Sequence, residues 1–297
     1  MKLKITTYLL VALMAGFAAS CVRDEIPDCP PLRVQIAVKD KNYFNVDKVE
    51  LEDRMSEDLA FREYVPTLYW VLRDLATGEV VEEEWVHKVE GDGKTVPVEF
   101  CPCVPHGTYV LTVWGGLDDE EPLGDDPLTI DFHPSNTEGR DIYMTNDTIL
   151  YDAWHNDQIV EMERTKGKLI IEKVNLPKEI TSSEKKIDGI FSTVNNAFGY
   201  SGNTHVLVST PIESQANIVT KTMLTPSVNE NGSMLSMRFF DVAGALIPTM
   251  LPKAVDITMK RNELTVLRYE WDRVKQEFNI YILVNDNWQL ISNMSVE

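Results

Sequence analysis

The chain has 297 residues, a formal net charge of −19 and four cysteines, and 43% of its residues are hydrophobic. Such an acidic excess argues against nucleic-acid binding, because phosphate recognition needs a basic surface that displaces counterions. The apolar fraction is enough for ordinary folded cores and argues against an intrinsically disordered chain. The length favours two domains after any targeting segment is removed.

Residues 1–20 have the plan of a secretory signal peptide. Two lysines precede an apolar run over residues 8–19, and three small residues then lead directly into Cys21. The run is shorter than the roughly 20 apolar residues of a transmembrane helix. The arrangement resembles the lipobox of bacterial lipoproteins, which implies cleavage before Cys21 and a covalent lipid on its thiol. An ordinary secretory signal with an unmodified cysteine is the alternative.

Three cysteines remain for the exported, disulfide-permissive compartment. A bond within Cys101-Pro102-Cys103 would be strained, because only one residue separates the two thiols. We therefore expect Cys29 to pair with Cys101 or Cys103. The cysteines form no CxxC motif and have no matching histidine pair, so no metal site is predicted.

Strand patterns begin at residue 32. Alternating segments rich in β-branched and aromatic residues are separated by Gly, Asp and Pro turns. They predict strands over residues 32–38, 65–75, 79–89, 94–100 and 107–116. The last of these is apolar on both faces, so we place it in the middle of a sheet.

A second strand-rich block begins near residue 166. The intervening acidic segment, residues 115–142, fits no calcium-loop spacing and is interpreted as a solvated loop. Strands are predicted over residues 167–177, 187–194, 204–210, 233–240, 254–260, 263–271 and 277–284. The predicted organisation is all-β: a signal peptide (1–20), an N-terminal β-sandwich with a short tether (21–160) and a C-terminal β-sandwich (161–297).

No catalytic constellation is present in the sequence. It contains no GxSxG, P-loop, GxGxxG or HExxH motif, and its five histidines are scattered. Its six tryptophans are interpreted mainly as core residues, because most of them fall in predicted strands. We therefore predict no enzymatic activity and no cofactor other than the lipid on Cys21.

Several short motifs combine in a pattern that a known family shares. They are the lipobox cysteine, Cys29-Pro30-Pro31 before the first strand, residues 163–170 (ERTKGKLI) at the start of the second block, Arg261-Asn262 and Asp286-Asn287-Trp288. Together they resemble the FimB/Mfa-type fimbrial anchor lipoproteins, relatives of the pilins that build type V pili. The resemblance implies two tandem transthyretin-like β-sandwiches that are tethered to the outer membrane at the base of a fimbrium.

The same resemblance implies a function and partners. The chain would hold a fimbrium at the cell surface and limit its length, with pilin subunits bound by donor-strand-type contact. Arg23-Asp24-Glu25 resembles the signal that exports lipoproteins to the outer face of the outer membrane. We expect the pilin-binding surface to be an open groove or sheet edge, on the C-terminal domain farthest from the lipid.

Three alternatives to an anchor are kept. Only ten residues separate Cys21 from Leu32, which favours a subunit that stays attached. Arg23 and Arg33 are possible cleavage points for an Arg-specific protease, so a stalk or tip pilin of the same family is the first alternative. A surface carbohydrate-binding lipoprotein and a lipoprotein hydrolase are the others.

Overall fold

A computed structural model describes residues 30–117, 128–213, 217–229 and 232–295. Strands dominate these ranges, which contain one short α-helix, α1 (Phe61–Tyr64), and 3-10 turns at Val46–Lys48 and Pro134–Asn136. The all-β prediction is confirmed. None of the helical segments in the described ranges has the length and apolar character needed to span a bilayer.

The N-terminal half, residues 30–164, contains eight strands in its described part. They are β1 (Arg33–Val38), β2 (Thr67–Asp74), β3 (Val80–Lys88), β4 (Val96–Glu99), β5 (Gly107–Gly115), β6 (Thr129–Asp131), β7 (Tyr143–Tyr151) and β8 (Asp157–Arg164). Seven of them form one sheet in the order β3-β2-β5-β7-β8-β1-β4. Side chains of β2, β5 and β7 pack against those of β1, β4 and β8 in a single core, so this sheet is folded into two layers.

Strand β5 lies in the middle of its layer, between β2 and β7, as predicted. Its alternation sends Tyr109, Leu111 and Val113 into the core between the layers. Trp114 points the other way, where it packs with Phe132 and other apolar residues. Both faces of the strand are therefore covered, which explains why apolar residues occupy nearly every position.

The C-terminal half, residues 167–295, is built from two sheets. Its strands are β9 (Gly167–Val174), β10 (Ser182–Ile190), β11 (Thr193–Asn195), β12 (Tyr200–Ser201), β13 (Thr204–Pro211), β14 (Ile218–Leu224), β15 (Ser233–Phe240), β16 (Val255–Ile257), β17 (Leu264–Asp272), β18 (Glu277–Val284) and β19 (Asn287–Ser295). The sheet orders are β13-β10-β15-β16 and β14-β9-β17-β18-β19. Their facing side chains form one buried cluster, as in a β-sandwich.

A small third sheet joins the two halves. It has the order β12-β11-β6, so β6 of the N-terminal half pairs with β11 of the C-terminal half. The predicted division at residues 160/161 falls within β8. Only Thr165 and Lys166 separate β8 from β9, and the junction between the halves lies at this short link.

Candidate functional site

The motif that carries the sequence resemblance lies at the junction, where Arg164 is almost completely buried (3% exposed). Its Nε donates to Asp141 Oδ2 at 2.7 Å and its Nη1 to Asn262 Oδ1 at 2.6 Å, while Nη2 contacts the Tyr143 hydroxyl. The backbone N–H of Arg164 donates to Asp40 Oδ2 at 2.8 Å. One side chain of the N-terminal half is thus bonded to both halves.

Aromatic rings complete the environment of this guanidinium. Its central carbon lies 4.1 Å from the ring centroid of Tyr43 and 4.9 Å from that of Tyr143. Burial acts to lower the pKa of Arg164, but the Asp141 carboxylate and the hydroxyls of Tyr143 and Tyr43 together raise that pKa above its ordinary value. Burial also raises the pKa of both tyrosine hydroxyls. The arrangement therefore holds a permanent cation between two neutral rings.

Lys166, two residues further on, is also buried. Its Nζ donates to the Arg140 carbonyl at 2.9 Å and lies 4.9 Å from the centre of the Phe132 ring. Burial lowers the pKa of Lys166 to about 8, against the opposing effect of Asp141. The Lys166 amine is bonded within the fold, so we interpret this segment at the junction as a structural brace and not as a ligand site.

An open groove lies beside the junction, between β7 and β8. The two strands pair only at Tyr143–Arg164 and Met144–Glu163, and then separate. The resulting cleft of about 590 Å³, the β7/β8 groove, is lined by residues 145–149, 158–161 and 196–198, together with Lys39, Met144 and Glu163.

Both walls of the β7/β8 groove present a backbone edge. β7 pairs on its other side with β5, and β8 pairs on its other side with β1. In the described residues no strand occupies the space between them. Exposed strand edges are templates for an added strand, since their N–H and C=O groups can bond an extended segment. The groove is therefore suited to binding an extended polypeptide.

The β7/β8 groove is lined by both apolar and charged side chains. Ile159 is 69% exposed and gives an apolar contact. Glu163 is bound by Lys39 at 3.0 Å and by Arg261 at 2.7 Å, and these cations lower its pKa although partial burial acts to raise it. Asp147 and Glu161 add further carboxylates to the lining. A segment with apolar and basic side chains complements this surface best.

The groove was not expected at this place. It belongs to the N-terminal half, whereas the sequence led us to expect a partner-binding surface on the C-terminal domain. Its walls, β7 and β8, also fall outside the predicted strands. The only signal in the sequence was the alternation of apolar and acidic residues over residues 160–163.

The predicted site cysteines divide into two groups. Cys21 and Cys29 lie outside the described residues. Cys101 and Cys103 are bonded to each other, and their Cα atoms are 5.2 Å apart, within the usual range for disulfides. A turn closed by Val104 N–H and the Cys101 carbonyl brings the two residues together. The structure therefore contains a bond within this tripeptide, whereas the pairing of Cys29 with Cys101 or Cys103 stays a prediction that would require this bond to open.

Peptide mapping without reductant distinguishes the two arrangements. A peptide with Cys101 and Cys103 that is two hydrogens lighter than its reduced form, together with a Cys29 that is alkylated without prior reduction, would show that the bond within the turn persists in solution. A linked peptide that joins Cys29 to residue 101 or 103 would instead confirm the predicted pairing.

The remaining candidate residues do not gather into a site. Trp85 and Trp154 are exposed, but they lie on β3 and after β7, which are separated by β2 and β5. His133 is buried and binds backbone groups of Thr137 and Thr225, and burial lowers its pKa to about 4. Within the described residues no three metal-ligating side chains are grouped to hold an ion.

The chain is thus an all-β protein with two-layered halves and an open strand groove, and solved structures share this fold. No protein-family model matches it, and no curated protein does. A protein from Bacteroides ovatus, provisionally described as an adhesin, matches 91% of this chain and 97% of its own, with 11% identity and a TM-score of 0.56. A protein from Bacteroides thetaiotaomicron, provisionally described as polysaccharide-binding, matches 88% and 98%, with 12% identity and a TM-score of 0.55.

The similar solved structures also include one with a fimbrial name. The fimbrial anchor protein Mfa2 from Porphyromonas gingivalis matches 89% of this chain and 96% of its own, with 12% identity and a TM-score of 0.47. At these identities the likeness to the two Bacteroides proteins establishes a shared fold. The TM-score for Mfa2 is too low to support any conclusion about this chain. The likeness extends over nearly the whole described chain and does not by itself assign a function.

Proposed function

We propose that this chain is a non-catalytic anchor subunit of a surface fimbrium, tethered to the outer membrane by a lipid on Cys21. The observation that carries the proposal is the lipobox-like segment directly before an all-β body whose fold is shared, over 91% of this chain, with a provisionally described adhesin. In this role the chain holds the fibre at the cell surface and limits its length. A stalk or tip pilin of the same family is the alternative.

The way the tether enters the fold supports attachment. Tyr151 donates its hydroxyl to the Pro30 carbonyl at 2.9 Å, and Arg33 donates its N–H to the Asn156 carbonyl at 2.8 Å. Pro30, nine residues after Cys21, is therefore already held against the fold. Fully extended, such a tether spans about 30–35 Å, so the body would stay close to the membrane.

The position of β1 favours an anchor over a polymerising pilin. β1 starts at Arg33 and is paired on both sides, with β8 and with β4. A protease cut after Arg33 would leave residues 34–38 in the sheet, so no acceptor groove would open.

The β7/β8 groove supports strand-mediated contact with a fibre subunit. It is open without any cleavage, and both of its walls offer backbone hydrogen-bonding groups to an extended segment. A subunit that remains whole could in this way bind a strand of a neighbour.

Metabolic labelling with a fatty-acid probe tests the tether. Wild-type chain should be labelled and sediment with outer membranes, Cys21→Ala should be unlabelled and released, and Cys29→Ala should behave as wild type. Deletion of the chain should give shed or overlong fibres in electron micrographs. An unlabelled wild-type chain that begins at a residue other than 21, or unchanged fibres after deletion, would refute the anchor role.

A further inference from the structure

One loop of the C-terminal half is both uncharged and exposed. We call residues 242–251, between β15 and β16, the apolar loop; their sequence is VAGALIPTML. Leu246 is 96% exposed, Ile247 82%, Val242 62% and Leu251 54%. Single exposed apolar side chains are ordinary, but four within ten residues form a patch of the kind that marks an interaction surface.

The base of the apolar loop is firmly held. Phe239 N–H donates to the Met250 carbonyl at 3.0 Å, and Thr249 N–H donates to the Phe239 carbonyl at 2.8 Å. The Thr249 hydroxyl donates to Asp241 Oδ1 at 2.8 Å. Phe239 and Met250 are core residues, so the fold presents Leu246 at the tip of a braced loop.

Strand directions place this loop at one extreme of the C-terminal half. β9 begins at the junction, so its last residues lie away from the junction. They are paired with the end of β17 and with the start of β14. β15 ends at Phe240 opposite Ser182, the first residue of β10, at the end of its sheet away from the junction. The turn after β17 lies at this end as well and exposes Val274 by 93%.

The tether enters at the other extreme of the molecule. β1 runs parallel to β8, and β8 runs into the junction at Arg164. β1 therefore begins at the end of the N-terminal half remote from the junction. The apolar loop and the point where the chain enters the fold lie at opposite ends, so a bilayer holding Cys21 would be far from the loop.

Charge and size narrow the choice of partner further. The loop lacks the aromatic and basic residues that place a segment at a membrane interface. A second copy is disfavoured because the chain carries a net charge of −19, and because four side chains cover much less than the roughly 1,200–2,000 Å² of a stable interface. A small protruding apolar tip fits a preformed pocket, where a few buried side chains supply most of the affinity.

We propose that the apolar loop inserts into an apolar pocket of another protein, the fibre subunit that rests on the end of this chain away from the membrane. The inference rests on the proposed function, since it identifies the partner as a fibre subunit. Leu246 and Ile247 are the two side chains that enter the pocket. The β7/β8 groove, in the other half, would bind separately.

The test uses the full chain and fibres sheared from cells that lack it. We expect Ile247→Asp to bind these fibres at least tenfold more weakly than wild type in a co-sedimentation assay, with an unchanged melting temperature. Trp154→Asp is the matched control, because Trp154 is 88% exposed on the N-terminal half, and it should stay within twofold of wild type. Leu246→Asp should repeat the loss.

Four outcomes overturn the proposal. If wild type binds fibres and Ile247→Asp binds them equally well, the loop proposal is wrong and the anchor role stays intact. If the wild-type chain does not bind fibres at all, both the loop proposal and the proposed anchor function are wrong. Binding of wild type to phosphatidylglycerol–phosphatidylethanolamine vesicles that Ile247→Asp abolishes would identify a bilayer as the partner. A wild-type dimer that Ile247→Asp dissociates would identify a second copy.

Discussion

Replacing Arg164 with methionine is expected to lower the free energy of unfolding by about 3–5 kcal/mol, the typical cost of removing one partner from a buried ion pair. The change leaves the carboxylate of Asp141 and the amide oxygen of Asn262 without the guanidinium that binds both. It also removes the cation between the two tyrosine rings. Urea unfolding followed by circular dichroism and tryptophan fluorescence measures the loss.

Two further variants show whether the buried network is responsible. Arg33→Met breaks the exposed pair between Arg33 and Glu99, in which both side chains are more than half exposed, and should cost only about 0.2–1 kcal/mol. Arg164→Lys keeps the charge but not the planar fork that reaches several acceptors, so an intermediate loss is expected. If Arg164→Met costs no more than Arg33→Met, the junction does not depend on this side chain.

The strands that could be predicted are those covered by apolar side chains. β5 and β9 stand out because both of their faces are buried, and every predicted segment overlaps a strand of the structure. β7 was missed because Asn146 and Asp147 interrupt its apolar pattern. In the structure Asn146 accepts hydrogen bonds from Thr112 and Asn196, and Asp147 accepts one from Thr145, so both positions are occupied by polar residues.

The position of the junction could be predicted from the sequence, but the side-chain contacts that form it could not. Residues 164–170 and Arg261-Asn262 were noticed only because they resemble a family pattern. The network around Arg164 also needs Asp40 and Asp141, which lie 124 and 23 positions earlier. Local patterns carry no information on such contacts, because they depend on how distant segments pack.

Two turn features were also outside the reach of sequence patterns. The pairing of Cys101 with Cys103 depends on the turn closed at Val104, whereas sequence spacing alone suggested strain. The apolar loop follows a correctly predicted strand, β15, but hydrophobic sequence alone gives no reason for Leu246 to be exposed. Exposure is a property of the packed fold, and it is the feature that distinguishes this loop from a core segment.

Two lysines are buried in the core of the C-terminal half, and their burial makes the stability of the fold depend on pH. Lys173 on β9 is 1% exposed and Lys185 on β10 is 3% exposed. Lys173 Nζ donates to Ser183 Oγ at 2.8 Å, and Ser183 shares a face of β10 with Lys185. Burial, helped by the charge of Lys185, lowers the pKa of Lys173 to about 7.

This depressed pKa fixes the sign of a pH effect on stability. The unfolded chain binds a proton at Lys173 up to its ordinary pKa of 10.5, whereas the folded chain loses it near 7. Between these values the unfolded state holds more protons, so stability rises with pH. Below about pH 7 both states are protonated, and the full cost of burying the cation is present.

Replacing Lys173 with methionine is therefore expected to stabilise the protein at pH 6.5, by on the order of 3 kcal/mol. Methionine fills a similar volume without a charge to desolvate. The gain should shrink as the pH is raised toward 10, because the wild-type amine is by then neutral. Urea unfolding at pH 6.5, 8 and 9.5 follows both the size of the effect and its slope.

An exposed lysine provides the matched control. Lys253→Met changes the same residue type at an exposed position after the apolar loop, and it should leave both the stability and its pH slope unchanged. Lys173→Met would instead destabilise the fold at every pH if the hydrogen bond to Ser183 outweighed the cost of desolvation. A pH-independent loss of stability of that kind would mean that the buried amine makes a net stabilising contact. It would also mean that water reaches the amine and lowers the cost of burying its charge.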